Sequence, residues 1–324
     1  MKAMRGRWSG VKGAALAQSV LDQLMHGGDL SGLPIDAHDG RWDLRGISFP
    51  KPGKDHTRVT GLEIRNQHWM SMDFAGASMR QIRFFDSELD NCVFDSADCR
   101  NWSLWGSRIR DCSLDTTNLR ETIWSSRYPR TNQMLASTLR GADLRGVVAQ
   151  EVQTEDCDFS QARLDGAMFE RCAIARCRFA GALSEVVFDG RDLGAAPDGR
   201  SRPAPAELDD VDFHGADFRF VEFRGFNLER TRLPDRAGIH LIPKYRSVAH
   251  RALAELAADS SKEARILSLR LEYSLRGPFR DRDAYVFNRL DFESVADGGS
   301  PSLGVLAENV LLANIAEGRH GDTC

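Results

Sequence analysis

Residues 64–124 read IRNQHWMSMDFAGASMRQIRFFDSELDNCVFDSADCRNWSLWGSRIRDCSLDTTNLRETIW. Every fifth residue from Ile64 gives Ile64, Trp69, Phe74, Met79, Phe84, Leu89, Phe94, Cys99, Leu104, Ile109, Leu114, Leu119 and Trp124, and all thirteen are apolar. Only 42% of the chain is hydrophobic, so for a given phase such a run arises by chance on the order of once in a hundred thousand trials. Two residues before each, the side chain is often small: Ala77, Ser87, Cys92, Ala97, Ser107, Cys112, Thr117 and Thr122. The residue between is often Asp, Ser or Asn, as in Ala97-Asp98-Cys99 and Thr117-Asn118-Leu119. A period of five matches neither the 3.6 of a helix nor the 2.0 of a strand. It suits a chain that turns a corner every five residues, with the large residue and the small one before it both facing inward. Four sides make a coil of about 20 residues, and coils stack at roughly 4.8 Å.

With Ala142-Asp143-Leu144 as a further instance, the pattern resembles the A-(D/N)-L-x-x signature of the pentapeptide-repeat family. The resemblance implies a mainly β fold, the right-handed quadrilateral β-helix. The same phase runs from Leu44 and Phe49 through Leu139, Leu144, Phe159, Leu164, Phe169, Ile174 and Phe179. It then slips by one residue, to Phe188, Leu193, Leu208, Phe213, Phe218, Phe223, Leu228 and Leu233. The Pro- and Ala-rich stretch 194–207 predicts a loop thrown out of one coil; Leu193 and Leu208 stand three repeats apart, so the phase survives it. The repeats cover about 190 residues, roughly nine coils and a rod near 45 Å long at the β spacing.

The ends differ. Leu16, Val20, Leu21 and Leu24 have helical spacing within 11–25, with Ser9 as the candidate cap. After Leu233 the period of five stops. A helix is expected over 243–258, then Ser260-Ser261-Lys262-Glu263 as a capping box, then a helix ending at Gly277-Pro278, and a last helix over 301–317. Residues 281–300 have no assignment. The expected organisation is therefore an N-terminal helical cap (1–40), the β-helix (41–236) and a C-terminal helical region (237–324).

Lys+Arg is 43 and Asp+Glu 47, a formal net charge of −4; this excludes a generally basic nucleic-acid binder. No run of about 18 apolar residues exists, and the first 28 residues lack a secretory core, so the expectation is a cytoplasmic chain without a membrane segment. Six of the seven cysteines fall at inward positions: Cys92, Cys112, Cys157, Cys172 and Cys177 at the small site and Cys99 at the large one. Packing explains them, since no Cys-x-x-Cys spacing suggests a metal. No phosphate loop, dinucleotide fingerprint, zinc-protease or nucleophile-elbow motif occurs. The eight histidines are scattered, and Asp209, Asp210 and Asp212 fit solvated outward positions. Neither catalytic residues nor a cofactor nor a metal is expected.

Candidate interaction residues come from irregularities. Sorting positions by twenty places Leu62, Ile82 and Trp102 on one face where small residues are expected, and Arg65, Phe85, Trp105, Ser125 and Arg145 in its outward column. Phe85 and Trp105 are stacked outward aromatics, covered by terminal segments or a second copy, or else a partner surface. Pro129 and Ala149 break the apolar column, so 125–133 and 147–155 are read as adjacent loops, functional or merely tolerated. The candidate surface is thus Phe85, Trp102, Trp105, Tyr128, Arg130 and Glu151.

Three functions follow. The first is a non-catalytic scaffold binding a protein through rod surface and loops, with homodimerisation through the C-terminal helices and no direct nucleic-acid or membrane contact. The second rests on the resemblance alone: some family members are dimeric rods that mimic B-DNA, bind DNA gyrase or topoisomerase IV, and give resistance to quinolones or to a self-made topoisomerase poison. Charge fits this poorly. Residues 60–236 hold 29 acids and 23 arginines, a net of −6, where DNA carries one charge per about 1.7 Å. Arg80, Arg100, Arg120 and Arg140, twenty apart, form a basic ladder that holds an acidic partner or pairs with Asp98 and its neighbours. The third is an enzyme or small-molecule binder at the loops near Tyr128 and Glu151, or in a cleft between rod and helices.

Overall fold

The computed structural model describes residues 6–27, 29–49, 61–191, 206–276, 284–295 and 298–317. The chain from Arg41 to Arg232 winds as a four-sided β-helix. One side is an eight-stranded parallel sheet from Leu62–Arg65 to Glu222–Arg224, and another a seven-stranded parallel sheet from His68–Met70 to Glu207–Asp209. Single-residue bridges stack the other two sides, as in Asp73, Val93, Ser113, Thr138, Asp158, Arg178 and Asp212. All thirteen residues of the Ile64–Trp124 series are buried. Five of the thirteen are aromatic, and aromatic stacking dominates the later rungs: Phe159 stacks on Phe179 with ring centroids 4.7 Å apart, and Phe169 on Phe188 at 5.0 Å.

The corners explain the period. Two residues after each inward side chain the backbone enters the left-handed region, at Asn66, Ser71, Gly76, Gln81, Asp86, Asn91, Ser96, Asn101, Gly106, Asp111, Thr116 and Glu121. Asn, Asp and Gly tolerate that conformation best, which accounts for the polar residues that follow each apolar one.

Coil length varies in a way the phase conceals. Phe84, Leu104 and Trp124 are register partners, each four repeats after the one before. Trp124 then pairs with Ala149, one repeat later than that spacing requires. A whole repeat is inserted after Ser126, and so the phase stays intact. Phe169 pairs with Phe188, which makes that coil one residue short. The missing residue lies at the corner of Gly181, whose φ is +99° and whose added Cβ would sit 3.2 Å from the Gln161 Cα. The next coil is longer by three repeats, with Phe188 opposite Phe223. Leu208, not Leu193, is the partner of Ile174; Leu193 and the expected loop at 194–205 lie outside the described residues, and Glu207 already belongs to a strand.

Both ends are covered. Helix α1 (Gly10–His26) buries Val20, Leu21 and Leu24 in the rod's core, and Trp69 Nε1 donates to the Leu24 carbonyl at 3.0 Å. Ser9 stands at its N-cap position but caps nothing, its hydroxyl donating back to the Gly6 carbonyl. Beyond the rod, Ile239–Pro243 pairs antiparallel with Ala284–Asn288. Around this strand pair pack α2 (Tyr245–Leu256), α3 (Lys262–Ser274), α4 (Arg289–Glu293) and α5 (Pro301–Glu317), with a core of their own. Residues 281–300, without an assignment from sequence, supply the second strand and α4. The expected capping box is displaced by one: Ser261 caps α3 by accepting from the Ala264 amide, and Glu263 accepts from the Ser302 hydroxyl instead. Asn288 Nδ2 donates to the Phe218 carbonyl at 2.6 Å and the Phe220 amide to Asp291 Oδ1 at 3.0 Å, seating this unit on the last rungs. No helix among the described residues is long and apolar enough to cross a membrane.

Candidate interaction surface

The inserted repeat makes a projecting turn. Ser125 and Asn132 hold its base, and Arg127 and Arg130 bond each other's backbones across Tyr128-Pro129, a cis peptide. The turn folds back over the preceding rungs. Arg127 forms an ion pair with Asp86, and Arg130 Nη1 donates to the Asp86 carbonyl at 3.1 Å. Gly106 lies beneath: an added Cβ would stand 2.9 Å from Asp86 Oδ1 and 3.1 Å from the Arg130 Cβ. Clamped this way, the turn presents Tyr128 with 63% of its surface exposed. Beside it, Ser87, Glu88, Ser107, Arg108, Thr131 and Gln133 line a polar groove of about 360 Å³.

The other sequence candidates divide. Phe85 and Trp105 are register partners on the outer surface of the eight-stranded sheet, and Phe85 and Trp105 are both half-buried. The Arg65 guanidinium lies 4.0 Å over the Phe85 ring; Arg127 and Arg130 sit at the corner next to Trp105. Trp102 is not on the surface. It is fully buried, its indole donates to the Met79 carbonyl, and it meets Phe84 and Phe94 edge-on at 5.1 and 5.4 Å. The small site faces inward whatever its occupant, and here an indole fills it. Glu151 is at a corner, its carboxylate 3.2 Å from Arg171 Nε and its carbonyl bonded by Ser126, next to the base of the turn.

The stretch 147–155 is not a loop. Val148–Gln150 and Val152–Glu155 are strands, with Ala149 and Thr154 buried. A small residue suits the inward site of Ala149 because its partner is the large Trp124. The insertion also corrects the face assignment. Gln150, not Arg145, follows Ser125 in the outward column. The arginine ladder is Arg80, Arg100, Arg120 and Arg145, since Asp143 rather than Thr138 stacks on Asn118; Arg140 stands on another side, between Asp115 and Asp158. Most of the ladder is neutralised. Asp98 takes both Arg80 and Arg100, and Asp143 takes Arg145. Burial raises the Asp98 carboxyl, but the hydrogen bonds from these two arginines outweigh it and hold it below the ordinary range.

One further group has ligand chemistry. His68, Glu88 and Asp90 bring ligand atoms within 4.8 Å of one another. Arg110 Nε stands 3.1 Å from Asp90 and Arg108 Nη1 3.8 Å from Glu88. The carboxylates already have cations, so the cluster is an ion-pair network. A larger cleft of about 800 Å³ opens between the last rungs and the C-terminal unit, lined by Phe226, Leu228, Leu241 and Pro243 with Asn227, Glu229, Lys244, Arg246 and Ser247 as polar groups.

The sequence profile of the pentapeptide repeats matches residues 137–172 and 206–233, in eight copies. The five-residue corners and four stacked sides agree with this match. The chain carries pentapeptide repeats. Among solved structures it is similar to HetL, a pentapeptide-repeat protein involved in heterocyst differentiation regulation from the cyanobacterium Nostoc sp. strain PCC 7120, at 16% identity over 60% of this chain and 87% of that one, with a TM-score of 0.33. It is also similar to QnrB1, a plasmid-mediated fluoroquinolone resistance protein, at 19% identity over 56% and 91% of the two chains and a TM-score of 0.30. Rfr23 from the cyanobacterium Cyanothece 51142 matches at 10% identity over 59% and 90%, with a TM-score of 0.14. No curated protein sequence matches the chain.

The pentapeptide-repeat rod has one outward feature that the sequence alone does not reveal. Ile123, Val148, Met168 and Val187 are consecutive register partners on the outside of the eight-stranded sheet. The first step between them is five repeats, the second four, and the third one residue short of four, so no fixed period aligns them. Pro129, an imino acid where the period of five expects an inward apolar residue, is the signal in the sequence that an insertion displaces the register.

Proposed function

We propose that this pentapeptide-repeat protein is a non-catalytic scaffold that binds another protein through the turn at 127–131 and the adjoining outer face of the eight-stranded sheet. The observation that carries the reading is the clamp: two arginines anchor on Asp86 over a side-chain-free corner and fix the turn that carries the exposed Tyr128. An exposed aromatic on a rigid mount loses little entropy on binding and is the side-chain type that anchors interfaces. The test is capture of partners from a lysate of the source cells by the intact protein and by Tyr128→Ala. Proteins retained by the first and lost with the second support the scaffold; identical retention overturns it.

Mimicry of DNA remains the rival within this reading, with a type II topoisomerase as the partner. Against it stands the interleaving of charge: Arg65, Arg100, Arg145, Arg191 and Arg224 each pair with an acid two residues before them. A surface that imitates a phosphate backbone would leave those acids bare. Protection of gyrase supercoiling from a quinolone would restore the mimic.

A further inference from the structure

Among the described residues, most outward positions of the rod are polar, and one outward column carries the longest apolar run. On the neighbouring side the column reads Ser78, Asp98, Asn118, Asp143 and Arg163. On the seven-stranded sheet it reads Glu88, Arg108, Gln133 and Gln153. On the eight-stranded sheet Ile123, Val148, Met168 and Val187 follow one another over four rungs. Ile123 keeps 39% of its surface exposed, and the other three are half-buried by their stacked neighbours.

Two features beside this stripe specify what lies on it. The corners next to Val148 and Met168 are Gly146 and Gly166, and a Cβ at Gly166 would meet nothing within 4 Å. Equivalent corners carry Asn101, Glu121 and Glu185 in the same left-handed conformation, so the turn itself does not demand glycine there. The result is a low ledge on which another chain can approach closely. Along its far side runs the arginine ladder. Arg80, Arg100 and Arg145 have an aspartate two residues away or on the adjacent rung. Arg120 has Asn118 in that place, forms no ion pair among the described residues, and keeps its Nε buried without a hydrogen-bond partner. Within the ladder, Arg120 is thus the member left without a carboxylate among the described residues, beside a dry stripe.

The size of the stripe selects among occupants. Four rungs span about 19 Å, and a strip of that length and one residue-row wide offers a few hundred Å² at most, well short of the roughly 800 Å² per partner of a stable dimer. It equals the length of a helix of about 13 residues. We infer that this ledge docks an amphipathic α-helix of a partner protein, apolar face on Ile123, Val148, Met168 and Val187, with an acidic residue at its edge paired to Arg120. The inference rests on the scaffold reading and names a surface and a partner chemistry for it.

The probe is a labelled amphipathic peptide of that length, leucine on one face and glutamate along one edge, with a counterpart carrying lysine in place of glutamate. Anisotropy is measured against the full-length protein. The glutamate peptide is expected to bind at least tenfold more tightly than the lysine one, Arg120→Glu to reverse that preference, and Ile123→Lys to weaken both. Circular dichroism confirms that the outward substitutions leave the rod folded, and Ile123→Thr gives a milder second variant. Failure of both peptides to bind, or a preference that Arg120→Glu does not change, overturns the inference. Sedimentation showing a dimer that Ile123→Lys dissociates does so too, by making a second copy the occupant. Lysate partners lost with Tyr128→Ala distinguish the cases: if the intact protein still captures them while the peptides fail, the ledge is wrong and the scaffold stands.

Discussion

Replacing Phe188 with alanine should loosen the rod locally rather than as a whole. The Phe188 ring is fully buried and has four aromatic neighbours: Phe169 and Phe223 stacked at 5.0 and 5.1 Å, Phe179 and Phe213 edge-on at 5.7 and 5.5 Å. Truncating a buried phenylalanine costs about 3–5 kcal/mol, and the four ring contacts place this one near the top of that range. At about 1.4 kcal/mol per factor of ten, a cost of ~4 kcal/mol lowers local amide protection about a thousandfold. In a stack where each rung touches only its neighbours, the loss stays near its origin. The protein supplies its own control, because all six tryptophans (Trp8, Trp42, Trp69, Trp102, Trp105 and Trp124) precede residue 125. Urea unfolding followed by tryptophan fluorescence therefore reports the first rungs, and hydrogen exchange at Met168–Glu170, Val187–Asp189 and Glu222–Arg224 reports the mutated ones. The expectation is a large loss of protection in those strands with a nearly unchanged fluorescence midpoint. Equal losses in both halves would refute rung-by-rung coupling, and a loss under tenfold would refute the packing argument.

Three other outcomes are expected. Asp86→Ala removes the carboxylate that pairs with Arg127 and leaves the backbone carbonyl that holds Arg130, so tryptic cleavage after Arg127, followed by mass spectrometry, should accelerate severalfold while the melting temperature stays within a few degrees; unchanged cleavage would mean the ion pair does not hold the turn. The hydrogen bond from Arg145 holds the Asp143 carboxyl below the usual carboxylate range, so its contribution to stability is complete above the unfolded value near ~4 and is lost as pH falls through the lower folded value. Asp143→Asn should flatten the acid limb of the stability curve, and an unaltered limb would count against the pairing. Cys92, Cys99, Cys112, Cys157, Cys172 and Cys177 are all buried, and burial pushes the Cys172 thiol up to about 12; these six should resist alkylation in the native protein and react once it is unfolded in urea, which peptide mapping reads directly.

What the sequence discloses is phase, and what it conceals is register. Every fifth residue identifies an inward position, because each corner resets the chain after five residues. The same regularity hides an insertion of one whole repeat: the residues from Leu139 onward keep their inward phase while every outward neighbour changes by one side. That is why a fixed period puts Arg140 in a ladder where Arg145 stands, and why 147–155 looks irregular although its inward alanine matches a tryptophan on the rung before. Tyr128 and Arg130 are legible because Pro129 breaks the pattern. Trp102 is misleading because its size suggests exposure, when the small site points inward for any residue. Ile123, Val148, Met168 and Val187 emerge as a set only once the unequal lengths of successive coils are known.

The covered ends of the rod have a consequence for its solubility. A parallel stack has no natural stop: its terminal rungs present rows of free amides and carbonyls, the same template on which cross-β fibres grow. Here α1 covers the first rungs through Leu24 and Trp69, and Asn288 and Asp291 bind the backbone of the last. Those two contacts turn an open-ended polymer geometry into an object of fixed length. Removing either one would trade a discrete molecule for a seed, with the fibre axis along the rod.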